Sequence, residues 1–563
     1  MSKYGMLNSY AKTSVGMSIG RSKFDLSHEH LTTFSSGYWF PVHCIEVLPG
    51  DTFEVNLREL VRMLTPVAPT MDNLIMELTA FFVPMRLALA GEHDWENICV
   101  GSEPDAWVNG FDKTLVTTGN VLHFNDSGDN TPDSSLLLVD SQSLASYLGM
   151  PIGEYSVNSI SAAPFNAVMR IWNEWLRDEN LSQSFDWRNY SSDLAKVYAT
   201  SLTNNTILKA SKLHDYFTSA LPAPQKGGAV LVPIGDRANI VGNVTPRKAA
   251  GSSAIDLPMF SQAQGGSTNA QIIKSGATEA QREPITFDAS TAYVDLSTAV
   301  GASVNAIRMS FALQRLQEKL ARGGSRYNEF LKSVFNVSPN PGMLQMSEFI
   351  AGGSVPINIT QVLQTSSTDT ASPLGSTGAF SNTYNNSISF TKSFVEYGYF
   401  IVMCTVRPQQ SYSQGIPLMF RRMSPLDMYS PTFAFIGEQP IYTEELYYSD
   451  STSRYQDTGQ PVAQPMVFGY KEAWNEYRQP YKQVSGNFAP TANDKTLAPW
   501  TYTSYFTSPP TLSKSFIEQP SSQVGQTLID TTTMTQFFGD FVASIIAYRP
   551  MPAIVYPGLI DHF

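Results

Sequence analysis

Charge is scarce in this sequence. Asp, Glu, Lys and Arg make up 15% of its 563 residues, against about a quarter in an ordinary soluble protein. Interface cores are depleted in charge, so a soluble chain this poor in it is expected to cover much of its surface in its working state. The balance is acidic, with a formal net charge of -12. That excludes a surface that binds nucleic acid over its whole extent, and any contact with phosphates has to be local or helped by a basic partner.

Other absences narrow the function further. No apolar run approaches the roughly 18 residues of a membrane span, and the opening MSKYGMLNSYAKTSVG has no apolar core of signal-peptide length, so neither membrane insertion nor standard export is expected. The three cysteines, Cys44, Cys99 and Cys404, are odd in number and far apart, which fits reduced thiols in a bacterial cytoplasm better than a disulfide framework. No GxSxG nucleophile frame, GK[ST] loop or GxGxxG fingerprint occurs, and Gly227-Gly228 and Gly323-Gly324 read as turns. His28-Glu29-His30 brings two histidines to one side only if it lies on a strand, and a third ligand is not adjacent in sequence. Glu444 and Glu445, being neighbours, are expected to be solvated surface. Neither a catalytic residue, a metal site nor a cofactor is expected.

What the sequence does contain is β pattern and aromatic mass. The run FVEYGYFIVMCTVR at 394–407 gives apolar side chains to both faces, as a strand covered on both sides at the middle of a sheet would. Phe53, Val55 and Leu57 alternate with Glu54, Asn56 and Arg58, after a turn at Pro49-Gly50-Asp51, and Leu74, Met76, Leu78 and Ala80 keep the same period. Leu57, Leu60, Val61 and Leu64 would also suit a helix, which leaves that boundary open. Two helices stand out, with a shorter one near Leu144–Leu148. Pro164 opens the first, with Phe165, Val168, Met169, Trp172, Trp175 and Leu176 on one stripe, where the tryptophans read as core. Ile307, Phe311, Leu316 and Leu320 mark the second, which ends at Gly323-Gly324.

The passage PQQSYSQGIPLMFRRMSPLDMYSPTFAFIG at 408–437 is irregular yet too apolar for a solvated loop, which makes Phe433 and Phe435 candidates for contact between subunits. Basic residues mix with rings nearby: Arg421, Arg422, Lys471, Trp474, Arg478 and Lys482, beside Phe420, Tyr429, Tyr477 and Tyr481. That composition suits a single-strand platform that stacks bases and neutralises phosphate. It equally suits arginine-on-ring glue at an interface, which the acidic, apolar context favours. Residues 1–30 read as a basic arm that orders on a partner, with Lys3, Lys12, Arg21 and Lys23 against Asp25 and Glu29, and are a further candidate for DNA or inter-subunit contact. Residues 225–292 and 364–388 are rich in small polar residues and read as long insertions.

The blocks GYFIVMCTVRPQQSYSQGI, RRMSPLDMYSPTFAFIGEQPIYTEELY and VFGYKEAWNEYRQPYKQVSG, the ending RPMPAIVYPGLIDHF, and, in order before them, PFNAVMRIWNEWLRDENL, DYFTSALPAPQKG and LQRLQEKLARGGSRYNEFL resemble the major capsid proteins of the Microviridae, in particular the gokushovirus branch. The resemblance implies an eight-stranded antiparallel jelly roll of viral capsid type with long interstrand insertions containing helices. It divides the chain into an arm (1–30), a first part of the roll (31–224), a variable insertion (225–292) and a second part with a docked end (293–563). It implies a structural function: a homo-oligomeric T=1 icosahedral shell around circular single-stranded DNA, assembled in the bacterial cytoplasm with a small basic DNA-binding protein and a pilot protein as partners. The insertion would form a protrusion at the three-fold axes that meets a host receptor, with Lys226, Arg237, Arg247, Lys248, Phe260, Gln271 and Lys274 as candidate contacts. Leu559, Ile560 and Phe563 of the apolar ending would dock on a neighbour. A β-sandwich carbohydrate-binding or glycan-hydrolysing protein is the alternative from another class; the hydrolase would need two carboxylates about 5–10 Å apart.

Overall fold

The computed structural model describes residues 20–88, 136–156, 160–186, 192–204, 207–228, 230, 239–241, 245–248, 285–288, 293–295, 304–324, 326–338, 340–342, 344–366, 374–456, 461–491, 494–529 and 535–554. It is mainly β and antiparallel. Two sheets form the body. The first runs β1 (Ser22–Asp25) and β2 (His28–Phe34), which share one edge, then β11 (Phe537–Arg549), β4 (Thr52–Met63) and β7 (Thr383–Ser393). The second runs β3 (Phe40–Val47), β8 (Gly398–Pro408), β5 (Leu74–Pro84) and β6 (Glu348–Pro356). Residues 22–25 and 28–30, expected to belong to an arm that orders on a partner, are therefore strand. Their alternating half-buried side chains and pairing to β11 hold them in the sheet.

The sheets face each other through rings. Phe53 of β4 meets Phe400 of β8 edge-on at 6.3 Å between centroids, and Phe40 of β3 meets Phe541 of β11 at 6.3 Å. The two-residue period decides which side chains enter: along β4, Phe53, Val55, Leu57, Val61 and Met63 are buried, and the segment that could have been helical is strand up to Met63. The same period carries Glu59 inside. Strand β8 lies between β3 and β5 and is buried almost end to end. Its second face is covered by α2 (Ala163–Ile171), which follows α1 (Leu144–Tyr147) and continues into a single π turn, Trp172–Leu176. Trp172 is core there and Trp175 packs half-buried against it, their indole N–H groups donating to the carbonyls of Lys209 (3.0 Å) and Ser347 (3.1 Å).

Residues Gln225–Lys319 form a separate compact unit. Within it Asn239–Val241 pairs with Tyr293–Asp295 and Thr245–Lys248 with Ile285–Asp288, so the stretch read as a loop contains a two-stranded ribbon. Most of α3 (Val304–Arg322) also belongs to this unit. Between β8 and β11 the chain makes a long excursion whose only regular pairing among the described residues is β9 (Glu438–Tyr442) with β10 (Val467–Glu472). Tyr412, Ile441, Leu446, Phe468 and Phe516 of this excursion form a small core with Tyr216, Phe217 and Ala220.

Candidate assembly surface

The excursion opens with short 3-10 turns at Leu418–Arg421, Pro425–Asp427 and Pro431–Phe433, two of them started by proline, which supplies the required φ and needs no donor. Asp427 fixes one turn by accepting from the backbone N–H of Ser424 at 2.8 Å and of Met423 at 2.9 Å. The turns leave a row of apolar side chains in the open. Met419, Phe420, Met423, Leu426, Met428, Tyr429 and Ile436 are all more than half or about half exposed, Phe433 is 37% exposed and Phe435 98%. An exposed row of this kind on a soluble chain marks a contact surface.

Polar side chains stiffen it from behind. Glu444, fully buried, accepts from Arg454 Nε at 2.6 Å and lies 3.4 Å from Arg421 Nη2. Arg421 sits over the ring of Tyr448 at 5.2 Å. Arg422 pairs with Glu476 at 2.9 Å and lies over Tyr477 at 4.4 Å. Trp474, buried and in the left-handed region at φ 63°, donates its indole N–H to the carbonyl of Phe433 at 2.9 Å, and its backbone N–H donates to Gln439 Oε1 at 3.1 Å. Glu445 accepts from the backbone N–H of Tyr442 (3.0 Å) and from the Tyr216 hydroxyl (3.2 Å), and burial pushes its carboxyl up to about 7. Glu444 and Glu445 are thus core anchors; the expectation that they are solvated fails because a 3-10 turn, not a strand, turns both inward.

The basic candidates differ in their surroundings. Arg421, Arg422, Arg478 (2.6 Å from Glu472) and Lys482 (paired with the buried Asp72) are matched by carboxylates of the same chain. Lys471 donates to Gln479 and lies 5.2 Å from the Tyr216 ring, with burial lowering its amine to about 8. Each of these five cations thus has a polar or ring partner in the same chain. Arg21 is exposed, bonds the Gly50 carbonyl and lies 3.2 Å from the Thr52 hydroxyl, while Lys23 is exposed on β1. Lys226 is half-buried at the start of the separate unit. Lys3, Lys12, Arg237, Phe260, Gln271, Lys274, Leu559, Ile560 and Phe563 lie outside the described residues, as do the side chains of Arg247 and Lys248.

His28 and His30 do share a side of β2, and the fold brings His43 of β3 to them: His43 Nδ1 is 3.0 Å from His28 Nε2, and the His30 and His43 rings are 6.5 Å apart. The rings pack edge-on, and no group among the described residues is arranged to hold a metal ion. Nor is any helix among the described residues long and apolar enough to cross a membrane.

Residues 13–559 match the family of phage capsid proteins described as capsid protein (F protein). Capsid protein VP1 of Bdellovibrio phage phiMH2K is 33% identical over 566 residues, covering 96% of both chains. The VP1 capsid proteins of Chlamydia phage 1 and Spiroplasma virus 4 are 31% and 30% identical over 96% and 97% of this chain. The chain belongs to this family of capsid proteins. As a Microviridae capsid protein it is structural and not an enzyme, a virion component that works as a homo-oligomeric shell, and the glycan-directed alternative is superseded.

Proposed function

We propose that copies of this capsid protein close into a T=1 icosahedral shell around circular single-stranded DNA, with a jelly roll as the body of each subunit. The strand order supports the roll: β1 and β2 occupy one position of the first sheet, so two sheets of four positions face each other, every neighbour antiparallel. The exposed apolar row from Met419 to Ile436, held by buried ion pairs and the Trp474 indole, carries the assembly reading. Many such contacts of modest strength add up in a closed shell.

A net charge of -12 leaves genome neutralisation to others, which supports a small basic DNA-binding protein as partner, with a pilot protein beside it. The N-terminal residues with Lys3 and Lys12 would face the genome, and Leu559, Ile560 and Phe563 would dock on a neighbouring copy. The free thiols Cys44 and Cys404 suit assembly in the bacterial cytoplasm. Residues 225–292 would project outward and recognise the host. Electron micrographs of the expressed chain should show closed particles of one size; only monomers under all conditions would defeat the shell reading. Particles in which residues 226–291 are replaced by a short Gly-Ser linker should still fold as subunits and fail to adsorb, and unimpaired adsorption of DNA-filled deletion particles would defeat the attachment reading.

A further inference from the structure

Lys212 and side chains from residues 495–526 line an open cavity of about 700 Å³. Its lining includes two lysines, a row of serine and threonine hydroxyls, two glutamine amides and three aromatic rings, and no Asp or Glu. One of the cations is out of place for a structural role. Lys212 is only 5% exposed, and its amine lies 4.4 Å from the centre of the Phe516 ring. Among the described residues it has neither a carboxylate at ion-pair distance nor a hydrogen-bond acceptor, although a buried ammonium ordinarily has both. Asp215, whose charge does act on it, spends its oxygens elsewhere: Oδ2 accepts from the Tyr412 hydroxyl at 2.6 Å, and Oδ1 from the N–H groups of Phe217 and Thr218 at 2.9 and 2.8 Å. Burial, partly offset by Asp215, lowers the lysine to about 8, so its proton is weakly held for want of a counter-charge.

The second cation, Lys495, sits at the exposed side with its amine 4.2 Å from the centre of the Tyr505 ring. An acid-free lining with two ammonium groups, hydroxyls and ring walls is complementary to a phosphate attached to something flat. We propose that this cavity binds the phosphate group of a nucleotide, with Lys212 as the buried counter-charge, Lys495 at the rim, and the rings of Tyr505 and Phe516 as walls for the attached nucleoside. The phosphate comes either from a free nucleotide or from a strand of DNA. The site is independent of shell closure, so its failure would leave the assembly reading untouched.

The test is calorimetric titration of the full-length chain with thymidine 5′-monophosphate, a short oligodeoxythymidylate, inorganic phosphate and thymidine. Both phosphorylated thymidine ligands should bind, inorganic phosphate more weakly, and thymidine without its phosphate not measurably. Lys212→Met should weaken binding at least about tenfold and Lys495→Gln severalfold. Affinity should fall about tenfold per pH unit above about 8, as Lys212 loses its proton. Tighter binding of the oligonucleotide than of the mononucleotide identifies a strand as the source, and equal binding a free nucleotide. Thymidine binding as well as its phosphate, or Lys212→Met binding as wild type does, would overturn the proposal. If Lys212→Met loses its β-type circular dichroism, Lys495→Gln and the pH profile of the wild type decide, and a flat profile with an unaffected Lys495→Gln counts against it.

Discussion

Trp474 donates its indole N–H to the carbonyl of Phe433, 2.9 Å away, and so ties a buried ring in the excursion's interior to the turn that puts Phe435 into the open. One hydrogen bond thereby sets the aim of the most exposed aromatic side chain of the proposed assembly row. Trp474→Phe keeps the ring and removes the donor. It should lower stability by about 1 kcal/mol while reducing particle yield far more than that loss accounts for. Thermal melting and particle counts on the same preparation check it, and unchanged yield would separate the bond from assembly.

That dependence was only partly legible in the sequence. The run at 394–407 announced a strand covered on both faces, and Phe53, Val55 and Leu57 announced another, because apolar period is local information. The exposed row was legible too, since an irregular passage that apolar needs a cover. Glu59 could have been found by carrying the β4 period one step further. The inward Glu444 and Glu445, the meeting of His43 with His28 and His30, and the cavity that Lys212 lines with residues 495–526 could not. Each depends on segments far apart in the chain arriving at one place, and turn type, which decides where Glu445 points, is not written in its neighbours.

Glu444 is buried between Arg454 and Arg421, so its charge is structural. Glu444→Gln removes the ion-pair partner shared by two largely buried guanidinium groups and should cost on the order of 3–5 kcal/mol. Arg421→Gln should likewise destabilise the fold, and should leave the salt dependence of DNA binding by the chain unchanged. Denaturant melts and a salt series check both. A shallower salt slope with normal stability would restore the phosphate reading of this arginine.

Two buried groups pull stability in opposite directions with pH. Burial, with His28 and His30 adding to it, depresses His43 to about 3. The unfolded chain therefore takes up that proton first, and stability falls as pH drops from about 6.5 towards 3, by up to about 1.4 kcal/mol per unit. Glu59 is the converse: burial raises it to about 7 against the lowering effect of Asn385, so the folded chain takes the proton first and stability is lost as pH rises from about 4.5 through 7. Relative to wild type, His43→Gln should gain stability on going from about pH 6.5 to 5, and Glu59→Gln on going from about pH 5 to 8. Denaturant unfolding at these values checks the signs, and parallel trends for the two variants would contradict them.

The core between the sheets sets a reference for the other changes. Phe400 is fully buried against Phe53 and Phe390, and Phe400→Ala should cost about 3–5 kcal/mol and abolish soluble expression at elevated temperature before any effect on assembly can be read. Soluble, cooperatively melting Phe400→Ala protein would show that the two sheets are not the stabilising body.

Copies are proposed to meet at the exposed row, and the sedimentation profile of Phe433→Ser/Phe435→Ser protein tests that most directly. The substitutions touch side chains at the surface, so the variant should keep β-type circular dichroism and sediment as small species where wild type sediments as closed particles. Particles of wild-type size and yield from the double variant would contradict it.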